Sequence, residues 1–146
     1  MISIKQIDKQ DIDLCYELDS NTISVWNKNQ WANEFKKEGI KVFGLLLSNL
    51  VIGICVFQVV LDEAQINYFV VNKKFRKRGF GSYFMSYIIK RCEKLNLKKI
   101  LLEVSQGNVT AKRFASDKPK TFIPSFLNSL AHCFLLHNEM VFESNS

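Results

Sequence analysis

Apolar and polar residues alternate over residues 2–7, the two-residue period of a strand with one buried face. Asp8 then stands as an N-cap, and Ile12, Leu14, Cys15 and Leu18 give one apolar face to a helix running through Asp19. A second helix is predicted over residues 28–37, where Trp31 and Phe35 stand four apart, with Gly39 closing it. From Val42 to Leu61 only Ser48, Asn49 and Gln58 are polar, a run long enough to cross a bilayer. Its β-branched residues and the Ser48-Asn49 break instead predict two buried strands, over 41–47 and 51–61, joined by a turn. Asp62-Glu63 makes the next turn, and 64–71 reads as a further strand. Phe80, Tyr83, Phe84, Tyr87, Ile88, Cys92 and Leu95 then recur at helical spacing over 79–95. Residues 98–104 form another strand, and 107–114 opens one more helix. Strand 64–71, helix 79–95 and strand 98–104 make a βαβ unit, whose strands should run parallel with a right-handed crossover.

Composition narrows the class. The chain has 146 residues, 47% of them hydrophobic, with 12 Phe, 4 Tyr and 2 Trp, enough for one domain with a packed core. Only 6 Gly and 2 Pro exclude collagen-like or low-complexity architecture. The 20 Lys+Arg against 14 Asp+Glu leave a net charge of +6 and favour an anionic partner. Charge alone does not choose among nucleic acid, a membrane surface and a phosphorylated cofactor. Cys15, Cys55, Cys92 and Cys133 stand far apart, and the only histidines are His132 and His137, so no metal is expected. The cysteines lie among apolar residues and read as buried reduced thiols. The first residues have no basic segment followed by an apolar one, so no signal peptide is expected and the setting expected is cytoplasmic.

Candidate chemistry concentrates in Arg76-Lys77-Arg78-Gly79-Phe80-Gly81, between a strand and a helix. Glycines let backbone N–H groups approach an anion, and a helix N-terminus adds partial positive charge. Arg76, Lys77 and Arg78 supply full charges and Ser82 a hydroxyl, the parts of a pyrophosphate cradle. It is not a dinucleotide fingerprint, because GxGxxG needs glycine where Phe84 stands, and no Walker A loop is present. The same residues also fit a solvated basic turn with a helix cap. Residues 73–99 hold ten basic residues and one acidic, Glu93, which leaves RNA binding as a rival. The nearby aromatics sit on the helical stripe and read as core, and no RNP, KH or zinc-finger signature is present.

Strand, RxxGxG, amphipathic helix and strand together resemble the acetyl-CoA-binding core of the GNAT acetyltransferases. Within that superfamily the chain looks like the bacterial ribosomal-protein-alanine N-acetyltransferases. The similarity is carried by Gln58-Val-Val-Leu-Asp-Glu-Ala64, Arg76 to Gly81, Leu102-Glu-Val104 and Asn108. Trp26 matches a family tryptophan, although Val25 stands where the family has proline. The resemblance implies an α+β fold with a mixed, mostly antiparallel sheet around the parallel βαβ unit. It implies acetyl-CoA as cofactor and acetyl transfer to an N-terminal α-amine, alanine of a ribosomal protein. Neither a membrane nor a specific nucleic acid is an implied partner. The alternatives are a non-catalytic acyl-CoA-binding protein and a basic RNA- or ribosome-binding module. Carried over by position, Phe69, Val70 and Val71 present strand backbone to the cofactor's pantetheine arm. Arg76, Lys77, Arg78, Gly79, Phe80, Gly81 and Ser82 hold the pyrophosphate, and Asn108 holds the far arm. Glu103 takes the base position, and it is the only acid in the apolar strand 98–104.

The pattern breaks near Lys112. Residues 1–112 carry 17 Lys+Arg and 11 Asp+Glu, whereas 113–146 carry 3 and 3. The expected organisation is therefore an acetyltransferase domain over 1–112 and an atypical tail over 113–146. Ala115 stands where the family has the tyrosine that protonates the leaving thiolate, and no tyrosine follows Tyr87. The tail reads as an apolar helix over 124–137, with the strands that would complete the sheet missing. A shifted reading frame is the favoured origin. A diverged, weakly active member and a proton supplied by another group are the alternatives.

Overall fold

The opening alternation folds as β1, Ile2–Gln6. The computed structural model describes residues 1–75, 78–103, 130–136 and 139–144, with side chains over 1–75 and 78–101. After β1, Lys9–Asp11 makes a 3-10 turn and Ile12–Ser20 forms α1. Asp8 precedes that turn without a capping bond from its side chain, because the chain enters α1 through the 3-10 turn. The second helix, α2, spans Lys28–Phe35. Asn27 Oδ1 accepts from the Gln30 N–H at 2.9 Å, and Gln30 Oε1 accepts from the Asn27 N–H at 2.8 Å. This reciprocal box satisfies donors that every helix start leaves over.

The long apolar run is two strands, β2 over Ile40–Leu47 and β3 over Leu50–Val60. Between them Ser48 and Asn49 both take left-handed backbone (φ 48° and 72°), as a tight hairpin requires. Glu63–Val71 forms β4, Phe80–Lys94 forms α3 and Lys99–Glu103 forms β5. Leu130–Leu136 is β6 and Glu139–Ser144 is β7. The seven strands join in the order β1-β2-β3-β4-β5-β7-β6. The pair β4–β5 is parallel and every other pair is antiparallel.

The tail therefore corrects two expectations. Residues 130–136 are a strand rather than part of an apolar helix, and strands completing the sheet are present. Short apolar runs do not distinguish strand from buried helix, and the free edge of β5 decides the matter here. Strand β7 pairs with it from Lys99↔Glu143 to Glu103↔Glu139, satisfying backbone groups that would otherwise lie unpaired.

The sheet has a core on each face. Helix α3 packs Phe84, Met85, Ile88, Ile89 and Cys92 against Phe57, Phe69 and Val71. Its buried face is rotated from the expected stripe, since Tyr83 and Leu95 stand 48% and 43% exposed. Helices α1 and α2 cover the other face, where Cys15, Leu18 and Trp31 meet Val56, Tyr68 and Val70. Gly53 on β3 lies opposite Val71, and a Cβ there would come within 3.0 Å of the Val70 carbonyl oxygen and 3.3 Å of Leu45 Cβ. Gly53→Ala is expected to cost about 1–3 kcal/mol by overpacking. Urea unfolding would show the lower midpoint, and an unchanged midpoint would mean that β3 and β4 yield at this contact.

Cys15, Cys55 and Cys92 are buried and free. Burial first, and then the Asp11 and Asp19 charges, push the Cys15 thiol up to about 12. Burial and Glu93 do the same for Cys92, also about 12, and burial raises Cys55 well above the ordinary thiol value. A raised value keeps each thiol protonated and unreactive at neutral pH. Iodoacetamide at pH 8 should leave all three unmodified in the native protein and label them in urea. Rapid native labelling would contradict this packing.

Candidate active site

Strands β4 and β5 pair only from Glu63↔Lys99 to Ile66↔Leu102, while β4 runs on to Val71. The described ladder ends there, and its end, with the rest of β4 on one side and Glu103, the last described residue of β5, on the other, is called the fork. At the fork β4 carries a bulge. Val56 pairs with Tyr68 and Phe57 with Ile66, leaving Asn67 as the extra residue. The bulge explains how Ile66 and Phe69, three apart, reach the same core. Phe69 and Val71 face α3, whereas Tyr68 and Val70 face α1 and α2.

Beyond β4 the chain turns toward α3. Asn72 N–H donates to the Ile52 carbonyl at 2.7 Å, and Asn72 Oδ1 accepts from the Lys74 N–H at 3.1 Å. A 3-10 turn over Lys73–Phe75 follows. Gly79 is the N-cap of α3, with left-handed backbone (φ 81°) and no side-chain capping bond. The first helical bond runs from the Tyr83 N–H to the Gly79 carbonyl at 3.0 Å. The N–H groups of Phe80, Gly81 and Ser82 therefore lack partners inside the helix. Among the described residues, a Cβ on Gly79 would meet nothing within 4 Å. Arg78 is exposed, its guanidinium 5.7 Å from the Phe75 ring centre. N–H groups without partners inside the helix, and a nearby cation, are the parts that an anion cradle needs. Phe84 is fully buried, and Phe80 and Tyr87 are half-buried against the same core, which makes them packing residues rather than base-stacking platforms.

The structure brings the end of β4 and residues 78–82 together as one connection leading into α3. Arg76, Lys77 and Asn108 lie outside the described residues, and Glu103 is described in its backbone alone.

A profile of the Acetyltransferase (GNAT) family matches residues 9–117. The chain belongs to the GNAT family. It is accordingly an acetyltransferase that uses acetyl-CoA. Among curated relatives, the ribosomal protein bS18-alanine N-acetyltransferase of Escherichia coli K12 is 24% identical over 112 residues, 76% of this chain and 75% of the relative. The enzyme of the same name from Haemophilus influenzae is 27% identical over 121 residues, 81% of this chain and 80% of the relative. Among solved structures, the Escherichia coli ribosomal-protein-S18-alanine N-acetyltransferase superposes with a TM-score of 0.73 at 19% identity, covering 97% of this chain and 92% of that one. PaiA N-acetyltransferase of Thermoplasma acidophilum, solved with coenzyme A, gives 0.69 at 12% identity, covering 100% and 99%. The similarity in fold thus continues through the tail, whereas the family profile stops at residue 117.

Two polar clusters at the fork of this GNAT fold escape a reading of the sequence. Asn67 donates to Glu34 Oε2 at 3.2 Å, and Glu34, 7% exposed, is paired with Lys37. Asp19, fully buried at the end of α1, accepts four hydrogen bonds, one of them from the Tyr68 hydroxyl at 3.0 Å. Burial first and then the Asp19 charge push the Tyr68 phenol far above its ordinary value. The signal available for Asp19 was an acid in the last turn of a helix, where the dipole disfavours it.

Proposed function

We propose that this GNAT enzyme transfers acetyl from acetyl-CoA to the N-terminal α-amine of a protein, alanine of a ribosomal protein being the favoured acceptor. The open N-terminus of α3 at Gly79, one short connection beyond the β4–β5 fork, is the observation that carries this reading. Acetyl-CoA supplies a thioester-activated acetyl group. The N–H groups of Phe80, Gly81 and Ser82 bind its pyrophosphate, with Arg76, Lys77 and Arg78 adding positive charge. Phe69, Val70 and Val71 contribute backbone along the pantetheine arm, their side chains being committed to the two cores. Asn108 holds the far arm. Glu103, at the tip of β5, takes a proton from the acceptor amine directly or through water. The free thiols of Cys15, Cys55 and Cys92 suit the reducing cytoplasm.

The α-amine class has a physical basis. Its pKa of about 7.7–8.0 leaves on the order of a tenth neutral at pH 7, against roughly half a thousandth or less for lysine at about 10.4. The ribosomal acceptor is supported by the relatives' names and by the +6 charge, which suits a ribosomal particle.

Residues 1–112 are proposed as the acetyltransferase domain and 113–146 as an atypical tail from a shifted reading frame, whose described strands nonetheless complete the sheet. Translating the coding DNA in the other frames past codon 112 tests this. A tyrosine at or beside position 115 in another frame supports a shifted frame, and its absence supports a genuine alternative end. For the acceptor, purified ribosomal proteins incubated with acetyl-CoA should gain one acetyl group on an N-terminal alanine, read by mass spectrometry. Labelling of no ribosomal protein, with transfer to other N-termini intact, would overturn the ribosomal assignment.

A further inference from the structure

We infer that Asp19 is a positioning residue for the acceptor, holding the α1–α2 connection and β4 together as one wall of the fork. The inference rests on the proposed acetyl transfer at that fork. Asp19 Oδ1 accepts from the Val25 N–H at 3.1 Å and the Tyr68 hydroxyl at 3.0 Å. Oδ2 accepts from the Trp26 N–H at 2.9 Å and Trp31 Nε1 at 3.3 Å. These donors belong to three segments: the connection between the helices, α2, and β4 just past its bulge. Both oxygens are thus saturated by neutral donors. The described ion pairs, Lys28–Asp13 and Lys37–Glu34, leave this carboxylate aside.

Such an arrangement is costly to build. A buried carboxylate is expensive, and the C-terminus of a helix is the wrong end for negative charge. The connection it holds is also strained. Ser24 takes left-handed backbone (φ 49°), fixed by its N–H donating to the Asp19 carbonyl at 2.7 Å. Strain of this kind persists where the surrounding structure over-determines it, and it concentrates at working sites. The clasp sets the half-buried Trp26 ring 5.2 Å from Tyr68 and 4.8 Å from Trp31. Tyr68 immediately precedes Phe69, and its face of β4 is the one away from α3 and the cofactor cradle. With the proposed cradle at the start of α3, we place the acceptor on this other side of β4, where the clasp would govern acceptor binding and leave cofactor binding alone.

Asparagine at position 19 keeps size and loses one acceptor. Its NH2 would face either Val25 N–H and the Tyr68 hydroxyl or Trp26 N–H and Trp31 Nε1–H, and at least one of those donors is left without a partner. Asp19→Asn in the full chain is expected to raise KM for an alanine-terminated peptide at least tenfold and to leave acetyl-CoA affinity within twofold. Amide exchange at Val25 and Trp26 should quicken in the same variant. Tyr68→Phe, which keeps the ring and deletes one donor, should show the same split at about threefold, and it serves if Asp19→Asn fails to fold. Equal effects on both substrates, or on neither, would overturn the inference. A parent that acetylates lysine or small amines instead of α-amines would overturn the proposed acceptor class. The split is then read on the amine it uses. A parent inactive on every amine would overturn the inference together with the proposed function.

Discussion

Replacing Gly79 and Gly81 together by valine is expected to abolish measurable acetyl-CoA binding. The proposed cradle would work through backbone N–H groups at the start of α3, which valine side chains at positions 79 and 81 would screen from an anion. Each charge-assisted hydrogen bond contributes about 1.5–3 kcal/mol, so losing two lowers affinity about 10²–10⁴-fold. At Gly79 the fold should tolerate the change. A Cβ at Gly79 meets nothing within 4 Å, and left-handed backbone (φ 81°) costs a valine about 1–2 kcal/mol. Calorimetry with acetyl-CoA, alongside thermal unfolding, separates the two effects. Unchanged binding in a folded variant would move the cofactor away from α3. Nicotinamide dinucleotides should bind far more weakly, and an RNA partner would instead show affinity falling steeply with salt.

The second large effect is kinetic. Glu103→Gln should lower kcat at pH 7 by about 10²–10⁴, the usual contribution of a positioned base. Acetyl-CoA affinity should hold, because Glu103 lies on β5 and the cradle on α3. The deficit should shrink as pH rises through the acceptor's own pKa near 7.7–8.0, since a neutral amine needs less help. Equal rates for parent and variant at pH 7 would make Glu103 structural. If Ala115 replaces the family's general acid, as the resemblance implies, slower release of the thiolate would cap the rate of both proteins.

Much of this fold was legible in the chain because its signals are local and strong. The alternation of residues 2–7, the Ser48-Asn49 break and the spacing from Phe84 to Cys92 each became the expected element. The glycine-punctuated basic run lies at the start of α3, where Gly79 takes left-handed backbone (φ 81°). What was illegible is long-range. Asp19 meets Tyr68 across 49 positions, and nothing beside either residue marks the pair. The bulge at Asn67 arises from the register of β3 on β4, which residue pattern does not encode. The apolar residues of 130–136, within the helix expected over 124–137, fit either period, and the strand they form joins the sheet through β7, which pairs with the edge of β5.

The central claim is transfer to an α-amine, and one competition measurement addresses it. A peptide starting with alanine and carrying an internal lysine is incubated with the enzyme and acetyl-CoA at pH 7, beside the same peptide with its N-terminus blocked. Fragmentation in the mass spectrometer then locates the acetyl group. The account expects one acetyl on the alanine nitrogen of the open peptide and none on the blocked one. Acetylation of the lysine in both peptides, at equal rates, would contradict it.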